Sequence, residues 1–273
     1  MLLPLARRFG NSGRNLDTDP GKILMNLRGM LQSLLRNSAS PKSRHPADRY
    51  QAAYYPDTGG YYFGYNSEPR VQISAAPDDV DDSRWTMLHD GEAYHLYMFR
   101  RNSTDTIYQF VWNGESYELG YDDAIPELRL TNVPADADTS SFAMLYGELG
   151  YHLYLRRRNN PTVLYQFVWS YESLSYDFGE PDVFPELHVV GFPEDTDWSR
   201  WSMLHDGDFY RFYAFKLGSQ TEMYQGAWDG ENYTFGYASE PVLTLHDAPH
   251  DADLSSMAML FDNEDYRLYV KAK

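Results

Sequence analysis

Four short acidic phrases are the residues whose types and spacing could do chemistry. Each places two aspartates and a serine at alternate positions, as in Asp79, Asp81 and Ser83. A calcium-binding loop begins with oxygen-bearing side chains at this spacing. The same residues also make turns by bonding to nearby backbone N–H groups, so an ion site and a turn both remain open. The candidate ligands for calcium or another ion, in the blade loops or a central channel, are Asp79, Asp81, Asp136, Asp138, Asp195, Asp197, Asp251 and Asp253.

The sequence shows none of the common motifs for catalysis or for metal binding by Cys or His. The sequence has no Cys, which excludes thiolate metal sites, disulfides and cysteine nucleophiles. It shows no paired-histidine metal spacing, Gly-rich phosphate loop or nucleophile motif. The acidic phrases repeat in every unit, whereas a catalytic site usually breaks the repeat in one copy. We therefore predict that the protein is not an enzyme.

Amides, arginines and aromatic side chains are the candidates for ligand binding. Each copy of a Tyr-Gln motif carries a glutamine, which either satisfies backbone groups between neighbouring repeats or belongs to a ring that reads a ligand. Aromatic side chains in variable loops could stack on sugars or anchor a protein interface. The candidate ligand-binding residues are Arg84, Arg200, Trp198, Tyr54, Tyr171, Gln51, Gln109, Gln166 and Gln225.

An internal repeat organises these residues. The acidic phrase begins at positions 77, 134, 193 and 249, which are 57, 59 and 56 residues apart. Each phrase leads to a Met-Leu pair, a turn and a Tyr-x-(Leu/Phe)-Tyr motif. Residues 50–76 contain only the second half of the unit and residues 249–273 only the first half. Complementary halves at the two ends predict a ring closed by pairing of the first and last strands.

The repeated segments are predicted to be strands. They are rich in aromatic and β-branched residues, and turn dipeptides such as Asp90-Gly91 and Asn113-Gly114 separate them. About four strands in each of four units predict an all-β four-bladed β-propeller over residues 46–273, with a closed antiparallel barrel as the alternative. The sequence around Ser83 resembles that around Ser199, while the other two units share a different motif. This alternation predicts a pseudo-two-fold ring with Arg84 and Arg200 on opposite sides.

The segment from Asp90 to Tyr97, repeated from Asp206 to Tyr213, resembles hemopexin-like repeats. The resemblance implies a four-bladed propeller closed between its termini, often with ions in the central channel. It extends over about 228 residues in architecture but only over short motifs in sequence. The Asp-Ala-Ala signature of that family is absent, and its closing disulfide is impossible without Cys.

Residues 1–45 form a basic tail. Residues 1–49 carry nine Lys/Arg and three Asp/Glu, a net charge of +6, and the remainder carries 14 and 37, a net charge of −23. Within the tail, apolar spacing predicts an amphipathic helix at about 20–36, followed by a flexible linker. The helix could pack on its own propeller, bind a protein partner, lie on a membrane surface or serve in targeting. Its candidate partner-binding residues are Leu24, Leu27, Met30, Leu31, Leu34 and Leu35.

The main hypothesis is a binding or scaffold module, in which an acidic propeller engages a protein partner and the helix acts as tether. The alternative is a lectin-like propeller that binds a carbohydrate, a polyamine or a metal ion. The acidic body argues against nucleic acid at the propeller. No signal peptide or membrane span is evident, so we expect a soluble protein and leave its compartment open.

Overall fold

The computed structural model describes residues 48–64, 70–74, 76–148, 150–180 and 183–273. The predicted helix at 20–36, with all its candidate partner-binding residues, lies outside the described residues. The described part is all-β apart from a short 3-10 turn at Tyr121–Asp123.

The strands follow one another with short turns between them. In chain order they are β1 (Arg49–Tyr55), β2 (Gly60–Phe63), β3 (Arg70–Val71), β4 (Ile73–Ser74), β5 (Val80–His89), β6 (Tyr94–Arg100), β7 (Thr106–Trp112), β8 (Tyr117–Leu119), β9 (Glu127–Thr131), β10 (Ala137–Gly147), β11 (Gly150–Arg157), β12 (Asn160–Ser170), β13 (Ser175–Phe178), β14 (Glu186–Val190), β15 (Thr196–His205), β16 (Tyr210–Lys216), β17 (Glu222–Trp228), β18 (Tyr233–Phe235), β19 (Val242–His246), β20 (Ala252–Phe261) and β21 (Tyr266–Ala272).

Strand pairing groups the described strands into four antiparallel units. Unit 1 contains β5–β9, unit 2 contains β10–β14, unit 3 contains β15–β19, and unit 4 contains β20 and β21 with β1–β4. The outermost strand of a unit is interrupted, so that β8 and β9 pair with different parts of β7. In unit 4, β1 pairs with β21, with Gln51 opposite Tyr269. The first and last described strands therefore share one sheet.

The units are arranged in a cycle. The innermost strands β5, β10, β15 and β20 contact one another in that order, and β20 contacts β5 again. Short parallel pairings also join the outer strands of neighbouring units, namely β4 with β8, β9 with β13, β14 with β18, and β19 with β2. Sheets repeated around an axis are the architecture of a β-propeller. The prediction of an all-β propeller fold is thereby confirmed at this level.

The hydrophobic core of the described residues lies between neighbouring units. Phe99 and Ile107 of unit 1, for example, pack in one cluster with Phe142 and Leu155 of unit 2, and all four are buried. Alternate residues of a strand point to opposite faces, so each unit contributes to the cluster before it and the cluster after it. Burying side chains of this size stabilises the fold by roughly 1.5–3 kcal/mol each.

Candidate ligand clefts between neighbouring units

Three equivalent clefts lie on the borders between described units, and we number each by the units that form it. Each is lined by a Tyr and a Gln of one unit and by aromatic side chains of the next. Their volumes are 130 Å³ for cleft 1/2, 260 Å³ for cleft 2/3 and 170 Å³ for cleft 3/4. The shared lining residues are Tyr97, Gln109, Tyr151, Trp169 and Tyr176 in cleft 1/2; Tyr154, Gln166, Tyr210, Trp228 and Tyr233 in cleft 2/3; and Tyr213, Gln225, Tyr266, Tyr54 and Tyr61 in cleft 3/4.

Strand register places the Tyr and the Gln of each cleft together. In unit 2, Tyr154 on β11 lies directly opposite Gln166 on β12. Units 1 and 3 have the same relationship, as in Tyr97 and Gln109. Residues directly opposite in an antiparallel pair project from the same face. Two motifs separated in sequence therefore converge on one cleft wall.

A pair of buried tyrosines joins the two units within each cleft. Tyr154 of unit 2 is hydrogen-bonded to Tyr233 of unit 3, and burial raises the pKa of both phenols above the ordinary value. Tyr97 with Tyr176 and Tyr213 with Tyr61 form the corresponding pairs. These phenols are neutral at physiological pH, and their mutual hydrogen bonds satisfy groups that are costly to bury alone.

Beside cleft 1/2, an interface aspartate accepts hydrogen bonds from both units. Asp90 Oδ2 lies 2.8 Å from Nε2 of His95 in its own unit and accepts the hydroxyl of Tyr151 in unit 2 at 2.6 Å. Gln109 Nε2 donates to Nδ1 of the same histidine at 3.1 Å. Burial of Asp90 opposes ionisation, but the hydrogen bonds from His95 and Tyr151 hold the pKa of its carboxyl well below the usual range.

The border between units 3 and 4 repeats this arrangement with an arginine. Asp206 accepts hydrogen bonds from Nε of Arg211 and, at 2.8 Å, from the hydroxyl of Tyr266. At the border between units 4 and 1, Asp262 accepts from Arg267 and Tyr94, both at 2.9 Å. An interface aspartate thus stands between two donors at three borders of the described structure.

Cleft 2/3 departs from this pattern. Gly147 occupies the position equivalent to Asp90, and His152 occupies the position equivalent to His95. Gln166 Nε2 donates to Nδ1 of His152 at 2.9 Å, while Nε2 of this histidine has no partner among the described residues. The Tyr210 hydroxyl accepts the backbone N–H of Glu148 at 3.3 Å, and no described residue accepts its proton.

His152 is neutral at physiological pH. Burial lowers the pKa of its imidazole to about 4, with no charged neighbour contributing. Since Nδ1 accepts from Gln166, the single proton of the neutral ring resides on Nε2. The wall of cleft 2/3 therefore carries two uncommitted donors, the His152 ring and the Tyr210 hydroxyl, among aromatic side chains.

Several predicted ligand residues lie at these clefts. Gln109, Gln166 and Gln225 each line one of them, and Tyr54 lines cleft 3/4. Tyr171 is 76% exposed and makes an edge contact with Trp169 of cleft 1/2 at 6.2 Å between ring centroids. Gln51 is buried in unit 4 opposite Tyr269. The amides of Gln109 and Gln166 bond a histidine of their own unit, His95 and His152, and ligand binding by the four glutamines stays a prediction.

Arg84, Arg200 and Trp198 do not line the described clefts. Arg84 donates from Nε to Asp81 at 2.7 Å and from its terminal nitrogens to backbone carbonyls, with its guanidinium 4.6 Å from the centre of the Phe99 ring. Arg200 makes the equivalent bonds in unit 3. Trp198 packs against Phe192. Ligand binding by these three residues stays a prediction, and their contacts give them structural roles.

The repeated acidic phrases bind other protein groups. Asp79 accepts hydrogen bonds from the Tyr108 hydroxyl and from Nε of Arg100, both at 2.7 Å. Asp81 Oδ1 accepts the backbone N–H of Ser83 at 3.2 Å, where the inner strand shifts register. The second aspartates of the other phrases, Asp138, Asp197 and Asp253, repeat this turn bond at 3.0 Å. Their partners in the first position, Asp136, Asp195 and Asp251, each accept a tyrosine hydroxyl.

The bonds from backbone N–H groups to the second aspartate of each phrase are those expected of a turn. No group of three or more His, Cys, Asp or Glu side chains suited to a metal ion occurs in the part of the chain that the structure describes. The ion-binding interpretation of the phrases stays a prediction.

Sequence reasoning missed the interface aspartates and His152. The Asp90-Gly91 dipeptide predicts only a turn, and no local motif marks Gly147 or His152. Alignment of the four repeats contains that signal, because Gly147 stands where the other units have Asp90, Asp206 and Asp262.

Comparison with known proteins returns a distant structural likeness. No family model and no curated protein matches the chain, so membership of the hemopexin-like family is not shown. The chain is similar to a fungal lectin from Aleuria aurantia described as a six-bladed β-propeller, with 14% identity and a TM-score of 0.32, covering 85% of this chain and 74% of that one. A mercury-derivative form of the fucose-specific lectin gives 14% identity, a TM-score of 0.31 and the same coverage of 85% and 74%.

A mutant of that lectin in complex with Fucalpha1-6GlcNAc gives 14% identity and a TM-score of 0.28. The match covers 68% of this chain and spans about half, 54%, of the lectin chain. Within the described residues, no helix has the length and apolar character needed to cross a membrane.

Proposed function

We propose that the protein is a non-enzymatic binding module of the lectin type, a propeller that binds small polyhydroxylated ligands between its units. The observation that carries this proposal is the lining of cleft 2/3. Its walls are aromatic, and its polar groups are the amide of Gln166, the imidazole of His152 and the hydroxyl of Tyr210. A sugar ring offers apolar C–H faces to aromatic side chains and hydroxyls to a few placed hydrogen-bonding groups, which is the usual composition of small-ligand sites.

The size of the cleft supports a small ligand. Sites for drug-sized molecules usually enclose about 300–1,000 Å³, whereas cleft 2/3 encloses 260 Å³. This space suits one ring rather than a long chain. The buried Tyr154 and Tyr233 phenols hydrogen-bond to each other, so neither has to be satisfied by the ligand.

The finer architecture belongs to the same proposal. We infer that the four units are blades of a four-bladed propeller closed between its terminal strands, with boundaries near residues 77, 134, 193 and 249. Pseudo-two-fold symmetry is supported by two equivalent bonds of 2.8 Å, from Trp85 to Ser256 and from Trp201 to Ser141. Blade borders would then supply repeated binding positions, of which cleft 2/3 is the largest one described.

The test is a titration of the full chain with a panel of monosaccharides and with spermidine, followed by calorimetry. We expect sugar binding that Trp228→Ala weakens, because Trp228 lines cleft 2/3. Trp198→Ala is the matched control, since Trp198 packs within the same hydrophobic cluster but does not line the cleft. Absence of binding by every sugar, or equal loss in both variants, would reject the proposal.

A protein partner is a second candidate, favoured by two exposed aromatic side chains of unit 2. Tyr171 is 76% exposed and Phe184, which also lines cleft 2/3, is 71% exposed. Exposed aromatic residues commonly anchor protein interfaces. If the protein binds a protein partner, we propose that the basic tail, residues 1–45, acts as the tether. A partner that co-purifies with the full chain should be lost with the tail and weakened by Tyr171→Ser with Phe184→Ser; retention by both variants would reject this candidate.

A further inference from the structure

At two other borders, the carboxylate of an interface aspartate accepts from the donors that correspond to those of cleft 2/3. At cleft 1/2, the carboxylate of Asp90 receives both the His95 ring and the Tyr151 hydroxyl. At cleft 3/4, the carboxylate of Asp206 receives both Arg211 and the Tyr266 hydroxyl. Each aspartate therefore joins a basic side chain of its own unit to a tyrosine of the next unit.

Cleft 2/3 retains the two donors without the carboxylate. His152 and Tyr210 occupy the positions of His95 and Tyr151, and Gly147 replaces the aspartate. Both donors lie on the wall of the largest described cleft, which His152 shares with the aromatic rings of Trp228 and Tyr233. The Tyr210 ring lies where a side chain at position 147 would begin. Both donors therefore face the cleft without a carboxylate of the described residues as their acceptor.

We propose that the ligand supplies this carboxylate, so that cleft 2/3 binds a sugar acid of the hexuronate class. The proposal rests on the sugar-binding function proposed above and specifies its ligand. The ligand carboxylate approaches from the cleft and accepts from Nε2 of His152 and from the Tyr210 hydroxyl, the same two kinds of donor that Asp90 has at the border of units 1 and 2. The sugar ring lies against the aromatic wall formed by Trp228 and Phe184, and the amide of Gln166 holds the imidazole in its donor orientation.

Protonation of His152 makes this binding pH-dependent. Tyr154 of its own unit and Tyr233 of the next are buried neutral phenols. On the unit 3 side, His205 stacks on Tyr210 with 4.2 Å between ring centroids. The exposed Glu148 lies in the turn between β10 and β11 of unit 2, where its backbone N–H bonds the Tyr210 hydroxyl. A bound carboxylate favours the imidazolium form of a neighbouring histidine. Binding therefore takes up a proton, and affinity rises as the pH falls from 7.5 to 5.5.

The experiment measures binding of glucuronate and galacturonate to the full chain by calorimetry, beside glucose, galactose and acetate. The Tyr210→Phe variant removes one donor and keeps the ring. Tyr224→Phe is its control, because Tyr224 also donates to an aspartate of the protein, Asp195, at 2.8 Å, but lies outside the clefts. His152→Gln keeps an amide donor and removes the titrating group. Melting curves verify that each variant is folded.

We expect one hexuronate per chain to bind at least about tenfold more tightly than the matched neutral hexose, as a hydrogen bond to a charged group implies. Tyr210→Phe should weaken hexuronate binding about tenfold and Tyr224→Phe should not change it. In His152→Gln the pH dependence should disappear, a readout that survives even if Tyr210→Phe fails to fold.

The remaining outcomes separate the two proposals. Equal binding of neutral hexoses and hexuronates, with no effect of Tyr210→Phe, overturns the carboxylate inference and leaves the sugar-binding function intact. Acetate binding as tight as hexuronate supports the carboxylate position but rejects sugar recognition. If none of the five compounds binds, both proposals fail.

Discussion

An ideal Cβ on Gly147 would lie 2.5 Å from the hydroxyl oxygen of Tyr210. The phenol of unit 3 thus occupies the space where any side chain at this position of unit 2 would begin. At the other borders the equivalent tyrosine instead hydrogen-bonds to the carboxylate of an interface aspartate, as Tyr151 does with Asp90. Replacement of aspartate by glycine and the inward position of Tyr210 are therefore two parts of one local change.

Gly147→Ala should destabilise the fold through this contact. The backbone of Gly147 is not in the left-handed region, so the cost is steric and is expected at about 1–3 kcal/mol, as for other overpacked sites. Urea denaturation measures it. In a Tyr210→Ala background the same substitution should cost much less, because the clashing ring is gone. Equal costs in both backgrounds would contradict the steric explanation.

The bonds between tryptophans and serines should matter equally at two opposite borders. Ser141→Ala removes the acceptor of Trp201 Nε1, and Ser256→Ala removes that of Trp85 Nε1, each bond being 2.8 Å long. A part-buried donor left without a partner costs about 1–3 kcal/mol. We expect similar losses of unfolding free energy for both variants.

Ser140→Ala is the control for this pair, since Ser140 is exposed and uses its backbone N–H to bond Asp138. Its change should stay within about 0.5 kcal/mol. Unequal losses for Ser141 and Ser256 would argue against the pseudo-two-fold relationship.

Acid should destabilise the protein through His152. Its folded pKa is about 4 against an ordinary value of 6.5, so between these values the unfolded chain binds a proton that the folded chain does not. Stability is therefore greatest above pH 6.5 and falls as the pH is lowered to 4, by about 3 kcal/mol from this group. Burial also lowers the pKa of His89 and His205, which adds to the loss in the same direction.

Comparison of pH profiles isolates the contribution of His152. In His152→Gln, the unfolding free energy should fall less steeply between pH 6.5 and 4 than in the parent chain. His188→Gln, a change of an exposed histidine on β14, should leave the parent profile unchanged. A profile of His152→Gln that coincides with the parent profile would show that the imidazole is not buried as a neutral group.

Arg84 and Arg200 should act on stability rather than on ligand binding in the clefts. Each guanidinium bonds an aspartate of its own inner strand and backbone carbonyls, and lies over a phenylalanine ring. Replacement of either by Ala should cost about 1–3 kcal/mol, because partly buried carbonyls and a carboxylate lose their donors. Thermal melting and sugar titration of the same samples give both readouts.

Arg129→Ala serves as control for the arginines, since the Arg129 side chain is 65% exposed and its nearest carboxylate contact is 3.8 Å long. Exposed pairs of this kind contribute about 0–1 kcal/mol. Loss of sugar binding in folded Arg84→Ala would instead support the ligand-binding role predicted from the sequence.

The repeat, the all-β propeller class and the pairing of the first and last strands were predictable from the sequence alone. These follow from local signals: alternating aromatic and branched residues specify strands, and Asp-Gly and Asn-Gly dipeptides specify the turns between them. The acidic phrases were also interpretable locally, because the bond from Ser83 to Asp81 spans two residues. The tail lies outside the described residues, so its predicted helix stays a prediction.

Which residues share a cleft follows from the packing of one sheet on the next and not from the sequence pattern. Tyr151 reaches Asp90 from 61 positions away, and Tyr233 reaches Tyr154 from another unit. Such contacts depend on how one sheet packs on the next, and no spacing within a repeat encodes them. Burial likewise depends on the assembled border, and it is burial that keeps His152 neutral. The repeat predicts four equivalent copies or two pairs. The substitution at Gly147 is present in the sequence, but only the packed border shows that Tyr210 lies against it.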